Sequence, residues 1–273
     1  MSKISKNISL ETWVNDLLAQ GKYAFALNAL RKEFDHLSEV AIKFSLKRLV
    51  DKGLIISVHK GYYLIIPPQY KSKGILPPAL YLDAFMKELN RPYYLGLLNA
   101  AAYHGAAHQR AQEFFVVTSF PVLRPTLKKG LKVNYISKNN LLTNLIEIRK
   151  TEAGYLNISN PILTAIDLIQ YAKRVGGMNR VATILNELME SIKPESIRSI
   201  PIKEIPITAL QRLGYLFEMI LHNQNLANEL YTLLQTNNEV FFRTPLKPSS
   251  SIKGFKTDEK WKVIINTTIE IDE

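Results

Sequence analysis

Apolar residues between positions 38 and 66 change from a helical repeat to two strand-like runs. The helix-spaced apolar positions are Ile42, Leu46, Leu49 and Val50. Ser38 is a suitable N-cap before them, and Gly53 is a suitable stop after them. Two β-prone runs, 54–58 and 62–66, follow with only His59, Lys60 and Gly61 between them. The pattern predicts a helix that is followed at once by a β-hairpin with a basic tip.

Shorter apolar repeats before this segment predict helices over residues 9–20 and 26–34, with room for a short strand at 21–25. Two helices joined by a few residues, the second followed by a hairpin, are typical of a winged helix-turn-helix. In that fold one helix enters the major groove of DNA, and the hairpin reaches the backbone or the minor groove. The candidate DNA-binding residues are Ser38, Lys43, Lys47, Arg48, His59 and Lys60.

Val40 and Phe44 lie opposite the apolar stripe of the predicted recognition helix. They can pack on the preceding helix, or they can touch thymine methyl groups in the major groove. Packing is the interpretation that we favour.

A polar, proline-rich stretch at residues 69–78 has the composition of a linker. We therefore predict a winged helix-turn-helix domain over 1–68 and a larger domain over 79–273 that folds by itself. Helices are expected in the larger domain at 79–89, 93–104, 161–174, 178–192, 207–222 and 226–236. Strands are expected at 114–118, 131–136, 145–150 and 155–158, with late strands at 240–243 and 261–266 that return to the sheet. A block of strands between groups of helices predicts an α+β fold with a mixed α/β C-terminal domain.

The positive charge of the chain is concentrated near its start. The formal net charge is +11, and residues 1–74 hold 12 Lys+Arg against 6 Asp+Glu. A basic balance favours polyanionic partners, because neutralised phosphates release counterions. A lysine-rich surface that only keeps the protein soluble is an equally open explanation. A second basic set, which can form another polyanion surface or simply a solvated face, consists of Arg124, Lys128, Lys129, Lys132 and Lys138.

Several classes of function lack their minimal residues in this chain. The absence of cysteine excludes disulfides and thiolate metal sites. No apolar run approaches the roughly 18–20 residues that span a bilayer, and no apolar secretory region follows the first lysines, so we expect a cytoplasmic protein without a membrane partner. Walker-type phosphate loops, dinucleotide fingerprints and nucleophile elbows are missing, so we expect neither enzyme activity nor a cofactor. His104 and His108 have the i, i+4 spacing of metal ligands, but no third ligand accompanies them, and packing or hydrogen-bonding roles are expected instead.

Three segments are distinctive when they are taken together: SLKRLVDKGLIISVHKGYY, RPYYLGLLNAAAYHGAAHQ and YLNISNPILTAIDLIQYAKRVGGMNRVATILNEL. Together they resemble the AbiEi antitoxins of bacterial type IV toxin–antitoxin and abortive phage-infection systems. The resemblance covers most of residues 9–190 and is weakest after about residue 200. It implies a repressor that binds inverted repeats in its own promoter through the winged helix. It also implies that the C-terminal domain counters a nucleotidyltransferase toxin encoded next door, without a stable toxin–antitoxin complex.

Two other functions remain open at the level of the sequence. The N-terminal unit can be a protein-interaction module that packs against a partner, or the chain can be a general transcription regulator without antitoxin activity. The dependence of affinity on salt concentration distinguishes DNA binding from protein docking. Affinity that rests on phosphate contacts falls steeply as the salt concentration rises, whereas affinity that rests on an apolar interface changes little.

Overall fold

The computed structural model describes residues 8–106 and 113–271, which form a mixed α+β structure. The α-helices in this part of the chain are α1 (Leu10–Ala19), α2 (Leu27–Glu33), α3 (Glu39–Asp51), α4 (Leu82–Glu88), α5 (Leu97–Tyr103), α6 (Pro161–Gln170), α7 (Met178–Leu188), α8 (Pro194–Arg198), α9 (Ile207–Tyr215) and α10 (Gln224–Thr236). The strands are β1 (Ala24–Ala26), β2 (Ile55–His59), β3 (Tyr62–Ile65), β4 (Tyr93–Leu95), β5 (Glu113–Ser119), β6 (Thr126–Lys128), β7 (Leu131–Lys138), β8 (Ile146–Thr151), β9 (Gly154–Ser159), β10 (Thr244–Pro245) and β11 (Val263–Ile264). No helix among these residues is long and apolar enough to cross a bilayer.

Residues 8–66 fold as three helices against a small antiparallel sheet. Ser9 and Ser38 cap α1 and α3 by accepting hydrogen bonds from the backbone amides of Thr12 and Ala41. Gly53, with φ of +67°, ends the segment that contains α3. The sheet has the order β1-β3-β2, so β1 lies beside the second strand of the β2–β3 hairpin. Apolar residues that include Leu30, Leu46 and Ile65 bury one face of this sheet against the helices.

A six-stranded mixed sheet with the order β6-β7-β5-β4-β9-β8 forms the centre of the larger part. Its β5–β7 and β4–β9 pairs are parallel, and its other pairs are antiparallel. The prediction of one helix over residues 93–104 is wrong in its first part. Residues 93–95 are the central strand β4, which pairs with Val116–Thr118 of β5 on one side and with Ile158 of β9 on the other. Gly96 separates this strand from α5.

The three-stranded sheet and the six-stranded sheet share one apolar cluster. Leu64 on the small sheet, Phe85 and Met86 on α4, and Val116 and Ile158 on the large sheet are among its members. The proline-rich stretch contributes as well, because Ile75 and Leu76 are buried in the same cluster. The layers therefore run from α1–α3 through the small sheet and α4 to the large sheet.

Helices α5 to α10 cover the opposite face of the large sheet, and the last segment of the chain docks on them. The indole of fully buried Trp261 lies against Gly214 in α9, where an added Cβ would come within 2.1 Å of the ring. The indole nitrogen donates to Glu218 at 2.7 Å, and the Gln211 amide donates to the Trp261 carbonyl at 2.7 Å. The prediction that late strands return to the main sheet is wrong. Instead, β10 and β11 pair with each other in a separate parallel ribbon held on α9.

Candidate nucleic-acid interface

The outward face of α3 carries three cations. Lys43, Lys47 and Arg48 are exposed, while Ile42, Leu46 and Leu49 of the same helix are buried. No carboxylate of the described residues lies within ion-pair distance of the three cations, although Arg31 and Lys52 nearby are paired with Glu39 and Glu11. Because these cations form no ion pair with the described residues, no ion pair has to be broken before they contact a phosphate or a base edge.

Val40 and Phe44 are also exposed on α3, at 63% and 64% of their surface. The expectation that they pack on the preceding helix is wrong, because the buried stripe of α3 alone fills the interface with α1 and α2. Their positions one turn apart place both side chains on the side opposite Ile42. The helix thus presents two apolar groups among three cations, a combination that suits thymine methyl groups and guanine edges in a major groove.

Only part of the predicted basic hairpin tip faces solvent. Lys60 is exposed, whereas the His59 ring packs on Phe85 of α4 with ring centroids 5.4 Å apart. A β-bulge after Ser57 turns the end of β2, and the Gly61 carbonyl accepts a hydrogen bond from the Leu27 amide at 2.7 Å. The tip is therefore fixed to the start of α2, with Lys60 as its outward cation.

Three cations of the second basic set are exposed, and the other two are paired with carboxylates. Arg124, Lys128 and Lys129 are exposed around the β6–β7 hairpin, whose strand β6 the sequence did not predict and which lies next to β2 of the N-terminal unit. Positive φ angles at Lys129 and Gly130 form the two-residue turn. Lys132 is paired with Glu113 at 3.0 Å.

Lys138, in contrast, points inward. Its ammonium contacts the carboxylate of fully buried Asp167 at 2.5 Å, and Tyr94 donates a hydrogen bond to the same carboxylate at 2.8 Å. The Tyr94 and Tyr171 rings lie 5.9 and 5.6 Å from the ammonium. Burial, and then the nearby Asp167 charge, raise the pKa of Tyr94 well above its usual value and raise the pKa of Tyr171 to about 12. This cluster joins β7 to α6 inside the larger part. One signal of it in the sequence is the single carboxylate in the apolar run ILTAIDLIQ.

The histidine pair can be followed only in part. His104 donates from Nε2 to the Ser159 carbonyl at 2.7 Å, which is the hydrogen-bonding role expected for it. His108 lies outside the described residues. Within 8–106 and 113–271 no group of three or more carboxylates and histidines is placed to hold a metal ion.

Comparisons with known proteins support the resemblance found in the sequence. Residues 94–219 match the family described as the AbiEi antitoxin C-terminal domain. A crystal structure of the RV2827C protein from Mycobacterium tuberculosis has a similar fold, with a TM-score of 0.65 and 19% sequence identity over 92% of this chain and 89% of that chain. A search of curated proteins finds no match. At this identity the solved structure supports the fold alone.

Proposed function

We propose that this chain is the DNA-binding antitoxin of a bacterial type IV toxin–antitoxin system, because residues 94–219 match the family described as the AbiEi antitoxin C-terminal domain. It represses its own promoter through residues 1–68, which act as a winged helix-turn-helix joined by residues 69–78 to an antitoxin domain over 79–273. The observation that carries the DNA-binding part of the proposal is the outward face of α3. There Val40 and Phe44 are exposed between three cations that have no carboxylate partner in the described structure.

In this proposal α3 enters the major groove, with Arg48 as the candidate for base recognition. Arginine can donate two hydrogen bonds to one guanine, and exposed apolar side chains on the same face can touch thymine methyl groups. Ser38 caps the N-terminal end of α3 and is included in the proposed DNA surface. Lys60 at the hairpin tip meets phosphate, while half-buried His59 mainly holds the tip against Phe85.

We extend the DNA surface to Arg124, Lys128 and Lys129. These exposed cations surround a hairpin that lies beside β2, so DNA bound on the N-terminal unit can pass near them. Lys132 and Lys138 are not part of this extension, since each is already paired with a carboxylate.

The experiment measures the affinity of the full chain for the DNA immediately upstream of its own gene and for scrambled DNA across a salt series. We expect preference for the upstream DNA and a steep fall of affinity with salt. A Lys43→Ala/Lys47→Ala variant should lose affinity and show a shallower salt slope. Lys193→Ala, which removes an exposed charge at the start of α8 in the helical layer, serves as the control and should behave as the parent. Equal behaviour of the two variants would exclude α3 as the DNA-binding helix.

The second candidate is a protein-docking role for the same face, which exposed Val40 and Phe44 also favour. In that case, Val40→Ser/Phe44→Ser should abolish binding to the partner, and DNA affinity should be weak and equal for all sequences. The salt series above distinguishes this result from sequence-specific DNA binding.

The antitoxin activity is assigned to the C-terminal domain, where it counters a nucleotidyltransferase toxin in the cytoplasm without a stable complex. The matched family is a family of antitoxins rather than of enzymes. Expression of the toxin from an unrelated promoter removes repression as a route to protection. The full chain should still protect cells under these conditions, and residues 1–74 alone should not. Equal protection by the short fragment would overturn the assignment.

A further inference from the structure

The outer edge of β8 is an unpaired sheet edge. This strand ends the six-strand order, so in the described part of the chain it is hydrogen-bonded on one side only, to β9. Ile148 is exposed at 69% on this strand, and Tyr155, the diagonal neighbour of Ile148 on β9, is exposed at 60%. An edge strand with exposed apolar side chains can pair with another strand.

The register of β8 determines which backbone groups face outward. The Asn160 amide donates to the Leu145 carbonyl, and the pairing continues without interruption to Thr151 and Gly154. Because hydrogen-bonded and non-hydrogen-bonded pairs alternate in an antiparallel ladder, Glu147 and Arg149 direct their backbone groups toward β9. Ile146, Ile148 and Lys150 therefore direct theirs toward the open edge.

We propose that β8 pairs antiparallel with β8 of a second copy of this chain, about a two-fold axis that passes by Ile148. In this register Ile148 lies opposite Ile148 of the second copy, and the two residues exchange backbone hydrogen bonds. Glu147 lies opposite Arg149 of the second copy, and Arg149 lies opposite Glu147 of the second copy. The edge is thus self-complementary in charge as well as in hydrogen bonding.

Neighbouring registers lack this complementarity. A two-fold axis at Glu147 would place two glutamates opposite each other, and an axis at Arg149 would do the same with two arginines. A register shifted by an odd number of residues would place backbone groups that point toward the open edge opposite groups that point toward β9. The hydrogen bonds between the two copies could then not form. Within one chain the Arg149 guanidinium lies 3.1 Å from the Glu147 carboxylate, on the same face of β8. Both side chains are therefore in position to pair with the opposite charges of a second copy.

The experiment is sedimentation velocity of the full chain without DNA over a wide range of concentration. We expect reversible dimerisation of the parent. Glu147→Arg and Arg149→Glu should each weaken the dimer roughly tenfold or more, because each variant opposes two pairs of like charges. An equimolar mixture of these two variants should form a heterodimer, since every opposed pair then has opposite charges. The double variant Glu147→Arg/Arg149→Glu should dimerise as the parent does.

The mixed sample distinguishes the loss of a contact between two copies from a change inside one chain. Each single variant also loses its own Glu147–Arg149 pair, and mixing cannot restore that pair. Lys262→Glu, which reverses a charge in the exposed pair with Glu259, is the matched control and should leave the dimer unchanged. A parent chain that stays monomeric at the highest concentration, or a mixture that does not pair, would overturn the proposal. DNA is absent from every sample, so either result leaves the proposed repressor function intact.

Discussion

Lys138 and Asp167 form the ion pair most protected from solvent among the pairs described above. The Lys138 side chain is 13% exposed, and the Asp167 side chain is fully buried. Lys138→Met should remove the ammonium and leave the carboxylate uncompensated, which costs about 3–5 kcal/mol for a buried pair. Urea unfolding should record this loss. Lys132→Met is the control, because its pair with Glu113 is about 40% exposed on both sides and should contribute below about 1 kcal/mol. A similar loss in both variants would contradict the assigned role of the buried pair.

Arg48 and Lys60 should affect DNA binding in different ways. If Arg48 contacts a guanine edge, Arg48→Ala costs about 1–3 kcal/mol of binding free energy and relaxes preference at one base position. Lys60→Ala should weaken all sequences similarly and reduce the salt slope by roughly one. Measuring the affinity of each variant for upstream DNA and for scrambled DNA across a series of salt concentrations separates the two effects. Unchanged affinity and slope in both variants would show that DNA does not bind this surface.

The tyrosines around the buried pair predict an alkaline limit to stability. An exposed tyrosine ionises near pH 10, whereas burial raises the pKa of Tyr171 to about 12 and also raises the pKa of Tyr94 well above its usual value. Above about pH 10 the unfolded chain therefore releases protons that the folded chain retains. The free energy of unfolding should be constant just below this pH and should fall above it. Denaturant titrations across this range test the sign, and Tyr171→Phe should reduce the slope.

At the scale of elements, local signals in the sequence are sufficient for the helix caps and for the β2–β3 hairpin but not for the strand pairing in the large sheet. Ser9, Ser38 and Gly53 act within a few residues of their own positions, so the bounds of α1 and α3 follow from the sequence. Residues 93–95 adjoin an alanine-rich helix, and only their pairing with β5 and β9 makes them a strand. For the same reason the short β6, which needs β7 beside it, was not predicted. The positions of Asp167 and Lys138 also follow from the packing of α6 on the sheet, which no local pattern specifies.

The contact between α9 and the C-terminal segment makes a prediction of its own. A glycine-to-alanine change inside a helix usually stabilises a protein by roughly 0.5–1 kcal/mol. Gly214→Ala should instead destabilise this chain by about 1–3 kcal/mol or more, because the new methyl group meets the Trp261 ring. Combining it with Trp261→Leu should cost less than the sum of the two single changes when unfolding is measured for all four proteins. Additive losses would contradict the direct contact.

At the scale of the whole molecule, the shared apolar cluster bears on how independently the two predicted domains fold. Phe85 and Met86 on α4 pack in the same cluster as Leu64 of the small sheet. A fragment of residues 75–273 should unfold cooperatively, since its own helical layer and large sheet are retained. Its denaturation midpoint should be lower than that of the full chain, because the fragment exposes these α4 side chains. An equal midpoint would show that the cluster contributes little, and a loss of cooperative unfolding would contradict the division into two domains.

The positions of the two tryptophans offer an optical means of following these parts separately. Trp13 packs edge-on to Phe25 and Phe34 in the N-terminal core, whereas fully buried Trp261 lies against α9 and the rings of Tyr231 and Phe241. Each indole therefore emits from a different apolar core, and exposure to water during unfolding should shift its fluorescence to longer wavelength. With Trp13→Phe and Trp261→Phe, the remaining emission reports one core at a time. Whether the two signals change together or in succession then measures directly how strongly the shared cluster couples the N-terminal unit to the larger part of the chain.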